Sequence, residues 1–418
     1  MTKKRRSNDL IRVGVVGIGR GQGFARGATE ALGMKLVALC DTWEERVRSV
    51  GKELGVAAYT DYAKFLEHDL DAVILANYFH QHAPFAIQAL QAGKHVMSET
   101  SACFTLAQGV ALVEAVEQSG RIYMFAENYP YTVRNLEMRR LYRSGAIGEF
   151  VYGEGEYIHP GPADDWNRIS RGVDHWRNWL PSTYYCTHAI APLMFITDTL
   201  PVKVNAFSLP FRPDDPVRAR RPMRNDACSL ITVRMDNGAV CKLLQYYLRG
   251  HGVWYRVHGS LGLMEGLRGG DTGKVRLIRE QYHQRQTTPV EQIYQPDWPR
   301  EHQAAAQAGH GGGDYFMNVN FAAAIRSGKQ PYLDVYRGVA MSMVGIQGWK
   351  SVLGDSTTFE IPDFRKKRVR DLHRADHWNP DPTEKPKRGM PKPPCSIQGP
   401  LTISKQQLAY ARKNWGSQ

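Results

Sequence analysis

Short apolar runs alternate with amphipathic stretches from Ile11 to Phe125. Ile11–Gly17, Lys35–Cys40, Ala72–Leu75, His95–Met97 and Ile122–Phe125 are predicted as strands, being too short for buried helices. Phe24–Leu32, Glu44–Leu54, Asp61–Leu66, Pro84–Ala92 and Leu106–Ser119 are predicted as the helices between them. Alternation at this spacing implies a parallel, doubly wound sheet. After residue 126 the rhythm changes. A helical segment, Val133–Ser144, precedes a strand over Phe150–His159. Lys203–Leu209, Ala227–Met235, Val240–Leu248, Val253–His258, Gly262–Glu265 and Lys274–Arg279 follow as strands, several divided by turn signals such as Asp236-Asn237-Gly238. Connections of this kind build a mostly antiparallel sheet. Helices return at Tyr315–Ser327 and Val335–Leu353. The fold class is therefore α/β: a doubly wound parallel sheet over residues 9–126, then an α+β domain with an open, mostly antiparallel sheet over 127–364. A Pro-rich tail fills 365–418, extended apart from a short helix near Ser404–Arg412.

Charge alters this picture at one end only. The 418 residues carry a net charge of +13, of which +9 lies from Arg365 onward, where 13 Lys/Arg face 4 Asp/Glu. A basic tail is ordinarily a solvated arm or a subunit contact, so no nucleic-acid partner is expected. No apolar run reaches the roughly 18 residues of a membrane span, and no membrane association is expected. The basic start Lys3-Lys4-Arg5-Arg6 precedes Ile11–Val16, which breaks at Gly17 without a small-residue cleavage site. The protein reads as cytoplasmic. Six cysteines without CxxC spacing fit a reducing compartment. The histidines lack metal-ligand spacing, and no metal is expected.

Gly17-Ile18-Gly19-Arg20-Gly21-Gln22-Gly23 follows the first strand and opens a helix. Glycines there let backbone approach a pyrophosphate, as in a Rossmann domain. The third glycine of the GxGxxG pattern is replaced by Gln22. Asp41 ends the second strand, where an acid accepts from a ribose diol and repels a 2′-phosphate, favouring NAD over NADP. The other reading of Asp41 is a cap of the following helix. Asn77 and His82, past the third strand, and Glu127-Asn128, past the fifth, lie where such sheets bind their ligands.

Asp71-Ala72-Val73-Ile74-Leu75-Ala76-Asn77, His82, and then Gly93-Lys94-His95-Val96-Met97-Ser98-Glu99 together resemble the Gfo/Idh/MocA family of sugar and cyclitol dehydrogenases. The resemblance implies a Rossmann domain that binds NAD, with Gly17, Gly19, Arg20, Gly21, Asp41, Asn77, His82, Glu99, Glu127 and Asn128 as its cofactor-binding residues. It also implies a second domain built on an open sheet, hydride transfer at a carbinol carbon, and homodimers or homotetramers. Such dehydrogenases carry Glu-Lys-Pro where this chain has Glu99-Thr100-Ser101. A threonine hydroxyl cannot replace an ammonium as proton donor. Three segments look like the family's NAD-dependent α-N-acetylgalactosaminidase branch, which also lacks the lysine. They are Gly148–His159, then His175-Trp176-Arg177 through His188, then Gly309–Tyr315. By position, Tyr157, His159, Arg177, Tyr185 and His188 fall on that branch's active-site residues.

The chemistry of these residues supports the assignment. Tyr157 and His159 share one face of their strand. Tyr185 and His188 are placed in a polar turn before the apolar segment Ala189–Phe195. Neutral histidine suits proton removal from an alcohol near neutral pH, and a tyrosine can act as base where a cation lowers its pKa. Catalytic candidates are thus His188, Tyr157, Tyr185 and His159. Arg177, His310 and Trp176 are substrate-binding candidates, with Trp166 and Trp179 as further sugar-stacking rings. Asp314 either touches substrate or caps a helix. The function that the resemblance implies for these residues is NAD(H)-dependent hydride transfer at a ring carbinol, C3, of a small-molecule sugar or glycoside. One alternative is redox-neutral glycoside hydrolysis by oxidation, elimination, water addition and re-reduction. A non-catalytic NAD-binding scaffold is the alternative of another class, against which the full set of bases argues.

Overall fold

A computed structural model of the chain describes residues 10–210, 212, 214–226, 228–250, 252–269, 273–280, 290–385 and 392–415. Lys3–Arg6 and Ala227 lie outside them. The chain forms two compact units. One comprises residues up to 135, 297–339 and 364–375; the other comprises 136–296, 340–363 and residues from 376 onward.

Its strands in chain order are β1 (Ile11–Val16), β2 (Met34–Cys40), β3 (Ala57–Tyr59), β4 (Ala72–Leu75), β5 (His95–Ser98), β6 (Tyr123–Phe125), β7 (Phe150–Ile158), β8 (Pro201–Leu209), β9 (Cys228–Met235), β10 (Val240–Tyr246), β11 (Gly252–Gly259), β12 (Gly262–Gly266), β13 (Val275–Arg279), β14 (Val290–Tyr294) and β15 (Phe359–Glu360). The helices are α1 (Gly21–Gly27), α2 (Glu44–Leu54), α3 (Tyr62–Glu67), α4 (His82–Gln91), α5 (Leu106–Ser119), α6 (Val133–Arg143), α7 (Ala163–Ile169), α8 (Thr187–Thr197), α9 (Gly313–Ser327), α10 (Val335–Leu353), α11 (Lys367–His373) and α12 (Lys405–Trp415).

In the first unit six parallel strands run in the order β3-β2-β1-β4-β5-β6. The order reverses between β1 and β4, and a crevice opens there beyond the carboxyl ends. Buried apolar residues on β1, β4 and β6 supply the core. The expected helix over Phe24–Leu32 is instead α1 followed by a separate turn at Glu30–Leu32. β3 is only three residues long and half-buried, too weak a run to read from the sequence.

The second unit holds nine strands in the order β14-β13-β12-β11-β7-β10-β9-β8-β15. All neighbours are antiparallel except β10 and β7. β14 escaped the sequence reading because Val290, Glu291, Gln292 and Ile293 are all exposed on an edge. One face of β7 carries Gly153 and Gly155 ahead of Tyr157. A Cβ at Gly155 would collide with the Ala189 carbonyl oxygen, so only glycine lets α8 settle on this strand. All eleven residues of α8 are buried.

The tail is less extended than expected. α11 belongs to the first unit, where Arg370 donates to Glu117 at 2.7 Å. Farther on, the Trp349 indole donates to the Pro394 carbonyl at 2.9 Å. Buried Asp226 accepts from the Ser396 hydroxyl at 2.7 Å and the Ile397 N–H at 2.9 Å. α12 packs on α7. A buried polar group left without its partner costs about 1–3 kcal/mol, and more when charged. Truncation from Asp376 onward should therefore lower the unfolding temperature of the second unit by about 5 °C or more and leave the first unit folded. Unfolding followed by tryptophan fluorescence checks this; an unchanged transition would contradict it.

Candidate functional site

The first unit gathers polar groups at the carboxyl ends of β1, β2, β4, β5 and β6. Gly17 has φ +86°, and a Cβ there would strike the Ala76 carbonyl. The loop thus needs glycine at its first position. Gly21 packs against Val15, whereas Gly19 faces open space. Asp41 accepts from the Ile18 N–H at 2.8 Å and the Trp43 N–H at 2.9 Å. Each carboxylate oxygen takes one of these bonds and retains a lone pair, so Asp41 ties the glycine loop to β2 with acceptor capacity to spare.

Arg20 is clamped between two acids. Its guanidinium makes a bidentate pair with Asp314 at 2.9 and 2.7 Å, and its Nε lies 2.9 Å from Glu99. His310 Nδ1 lies 3.0 Å from Asp314. Burial alone would raise the Asp314 carboxyl, but His310 and Arg20 outweigh it and hold the pKa well below the usual range. Asp314 lies in the first turn of α9 but makes no cap to the helix; its acceptors are spent on Arg20 and His310. Gly313 brings that helix against Asn128, where a Cβ would meet the Asn128 carbonyl.

His82 is turned inward. It is buried, with Nδ1 3.1 Å from the Ser101 carbonyl and Nε2 3.2 Å from the Asn77 carbonyl. Burial pushes its pKa down to about 4, so it stays neutral, and its single N–H donates to one of these two carbonyls at a time. Among the described residues, both amide atoms of Asn77 and Oδ1 of Asn128 are buried without a hydrogen-bond partner. Glu127 is fully buried beside Asn128, and its Oε1 accepts from the Tyr129 N–H at 3.4 Å. Orphaned polar atoms at strand ends, a glycine cradle and a half-exposed acid fit a dinucleotide.

The second unit brings together the four catalytic candidates. The Tyr157 ring lies 4.6 Å from His188, 5.5 Å from His159 and 5.9 Å from Tyr185, centroid to centroid. Tyr185 and His188 are 5.0 Å apart. His188 does not lie in a polar turn as expected. It is the second residue of α8 and is buried. Its position is fixed twice. The glycine face of β7 lets α8 approach, and Pro192 then deprives the His188 carbonyl of its helical donor. The Tyr255 hydroxyl from β11 donates to that carbonyl at 2.7 Å in the missing bond's place.

Around this group stand rings that the sequence reading did not include. Tyr246 stacks on Tyr157 at 5.6 Å and on Tyr185 at 4.9 Å, and Tyr247 meets Trp166 at 5.2 Å. Tyr246 ends β10 and Tyr247 follows it; the strand's parallel pairing with β7 sets Gln245 opposite Tyr157. Two adjacent tyrosines ending an alternating strand were the only signal available. Burial raises the Tyr246 pKa, with Tyr247 and Tyr185 adding to it against Arg177, so its hydroxyl remains protonated. Trp176 stacks on Tyr185 at 6.0 Å and carries the Arg177 guanidinium over its ring at 4.1 Å. Burial opposes the Arg177 charge, yet the hydroxyls of Tyr185, Tyr246 and Tyr247 prevail and raise its pKa. Trp166 joins this wall. Trp179 does not: it is fully buried in the core and donates to the Asp174 carbonyl at 3.0 Å. His310, expected beside substrate, belongs to the Asp314 cluster of the first unit.

Comparison with known proteins assigns family domains to most of the chain. The oxidoreductase family model with an NAD-binding Rossmann fold matches residues 11–127. The GFO/IDH/MocA C-terminal domain matches 135–265, and the glycosyl hydrolase 109 C-terminal domain matches 227–371. The fold and the nucleotide site define an NAD-dependent oxidoreductase. More particularly, the chain belongs to the Gfo/Idh/MocA oxidoreductase family. A glycosyl hydrolase family 109 protein of Saccharopolyspora erythraea is 24% identical over 407 residues, covering 88% of this chain and 86% of that one. An alpha-N-acetylgalactosaminidase of Shewanella oneidensis is 25% identical over 400 residues, 86% of each. Among solved structures, a levoglucosan dehydrogenase in complex with NADH has a similar fold, with a TM-score of 0.72 at 19% identity over 85% of this chain and 100% of that one. No helix among the described residues is long and apolar enough to cross a membrane.

Replacing Asp41 by Ala should weaken NAD binding about ten- to hundredfold, the worth of a charge-assisted hydrogen bond of roughly 1.5–3 kcal/mol. Titration calorimetry with NAD and NADP checks it; an unchanged NAD dissociation constant would remove Asp41 from the site. Tyr255→Phe strips the His188 carbonyl of its donor. It should cost about 1–3 kcal/mol of stability and lower turnover while leaving NAD affinity unaltered. Full turnover in this variant would show that Tyr255 does not position His188.

Proposed function

We propose that this enzyme oxidises a ring carbinol, C3, of a sugar or glycoside, and that its net reaction is redox-neutral cleavage of a glycoside. The observation that carries the reading is the group of Tyr157, His159, Tyr185 and His188 gathered about one tyrosine ring. Two ionisable steps on one sugar need two bases, and a lone dehydrogenase step needs one. Gly17, Asp41, Asn77 and Asn128 are the residues that hold the dinucleotide. Bound NAD+ supplies the hydride acceptor at C3 and, once reduced, the hydride that restores the alcohol.

The chain's own residues manage protons. His188 takes the hydroxyl proton at C3. The resulting ketone acidifies the C2–H bond, and Tyr157 removes that proton. The C1–O bond then breaks, the aglycone leaves, and water adds at C1. Arg177, carried over the Trp176 ring, donates to a substrate hydroxyl. Tyr246, kept protonated by burial, serves as a donor and a wall. Thr100 in place of a lysine supports glycoside cleavage over simple oxidation, as do the names of the glycosyl hydrolase family 109 relatives. A second reading, net oxidation with release of NADH, is favoured by the likeness to levoglucosan dehydrogenase.

His188→Ala should abolish hydride transfer, since a positioned base contributes about 10²–10⁴-fold. Tyr157→Phe should still reduce bound NAD+ when substrate is added, yet release no aglycone. Solvent deuterium should enter C2 with the parent enzyme and not with this variant. Loss of C3 oxidation in Tyr157→Phe would break the division between two bases. Free NADH from a sugar, without C2 exchange on any glycoside, would leave the plain dehydrogenase.

A further inference from the structure

Two aromatic residues flank the glycine loop of the first unit, one from each neighbouring strand. β1 lies between β2 and β4, and Val16 is level with Cys40 on one side and with Leu75 on the other. The Gly17 N–H donates to the Cys40 carbonyl at 2.9 Å, and the Ala76 N–H donates to the Val16 carbonyl at 2.8 Å. Asp41 and Ala76 are therefore the first residues beyond the strands on either side of Gly17. Trp43 follows Asp41 by two residues, and Tyr78 follows Ala76 by two.

Both rings meet solvent. Trp43 is 41% exposed and Tyr78 46%. In the described part of the first unit, Leu372 on α11 is the other large apolar side chain so exposed. Apolar surface gathered at a ligand-binding strand end, rather than scattered singly, marks a contact surface. Both backbones are held. The Trp43 N–H donates to Asp41 Oδ1 at 2.9 Å, and the Tyr78 carbonyl accepts from the Gln81 N–H at 2.9 Å. Neither side chain caps the segment that it precedes. The Arg46 guanidinium lies 5.4 Å from the Trp43 ring, a cation–π contact that steadies the indole. Burial raises the Tyr78 pKa and the charge of Asp41 adds to it, so a neutral phenol lies within the field of that carboxylate.

A dinucleotide whose pyrophosphate follows the glycine loop directs its adenosine toward the acid at the end of β2. The base on that ribose must then lie beside the residues just beyond Asp41. We infer that Trp43 and Tyr78 form the adenine seat of this enzyme, Trp43 stacking on the base and Tyr78 closing its other side. The inference rests on the placement of NAD at the glycine loop. Adenine offers a flat π-face and a polar edge, and an indole and a neutral phenol match them. Losing one such ring costs a bound base roughly five- to hundredfold in affinity.

The test is calorimetric titration of the full-length protein with NAD, ADP-ribose and nicotinamide mononucleotide. ADP-ribose carries the adenine, and the mononucleotide does not. Trp43→Ala should weaken NAD and ADP-ribose about tenfold or more and Tyr78→Ala about fivefold, with the mononucleotide unchanged within about twofold. Trp43→Phe keeps a ring and should stay within about threefold of the parent. Unaltered ADP-ribose affinity in either alanine variant would overturn the inference. So would a mononucleotide weakened as much as ADP-ribose, since the loop and not a ring contact would then have been lost. A phenylalanine variant as weak as Trp43→Ala would also overturn it. The two readings fail separately. No binding of NAD by the parent defeats the placement of the dinucleotide, whereas NAD binding indifferent to both rings defeats the adenine seat alone.

Discussion

The seating of α8 on β7 is the constraint on which the site depends. Gly155 leaves no room for a Cβ beneath Ala189, and the helix that settles there is buried along its whole length. That placement puts His188 within 4.6 Å of the Tyr157 ring. A proline four residues on removes a helical donor, and a tyrosine from a neighbouring strand replaces it. The backbone of the proposed base is thus held by packing on one side and a hydrogen bond on the other. Such redundancy keeps a proton-transfer geometry fixed while side chains titrate.

The two units solve different electrostatic problems. In the first, Arg20 at the glycine loop is neutralised by Glu99 and Asp314. In the second, buried guanidinium groups lie over aromatic rings, Arg177 on Trp176 and Arg221 on Trp166. His82 shows a third use of burial: a histidine kept neutral between two backbone carbonyls.

Much of the fold was legible because the first unit follows period and length rules closely: four of its five expected helices and all five expected strands appear with small shifts. The failures have physical causes. β14 is an exposed edge strand, and β3 is too short to carry a pattern. Residues 297–339 return to the first unit without any compositional mark. In the site, Tyr157 and His159 were singled out by the family motif, and a strand's alternation then placed them on one face. Tyr246 and Tyr247 could not be read, since their nearness to Tyr157 depends on a parallel pairing between strands far apart in sequence. His188 was found by motif but misplaced, because the hydrophilic residues before it resemble a turn although they begin a buried helix.

The central claim is that a hydride leaves a sugar carbon and that the chain's tyrosine and histidine group handles the accompanying protons. A single turnover of a glycoside bearing deuterium at C3, on enzyme loaded with NAD+, tests it most directly. The account predicts a transient signal at the reduced-nicotinamide band, slowed by the label, with deuterium recovered at C3 of the released sugar. Cleavage with no transient and no isotope effect, with NAD bound throughout, would contradict it.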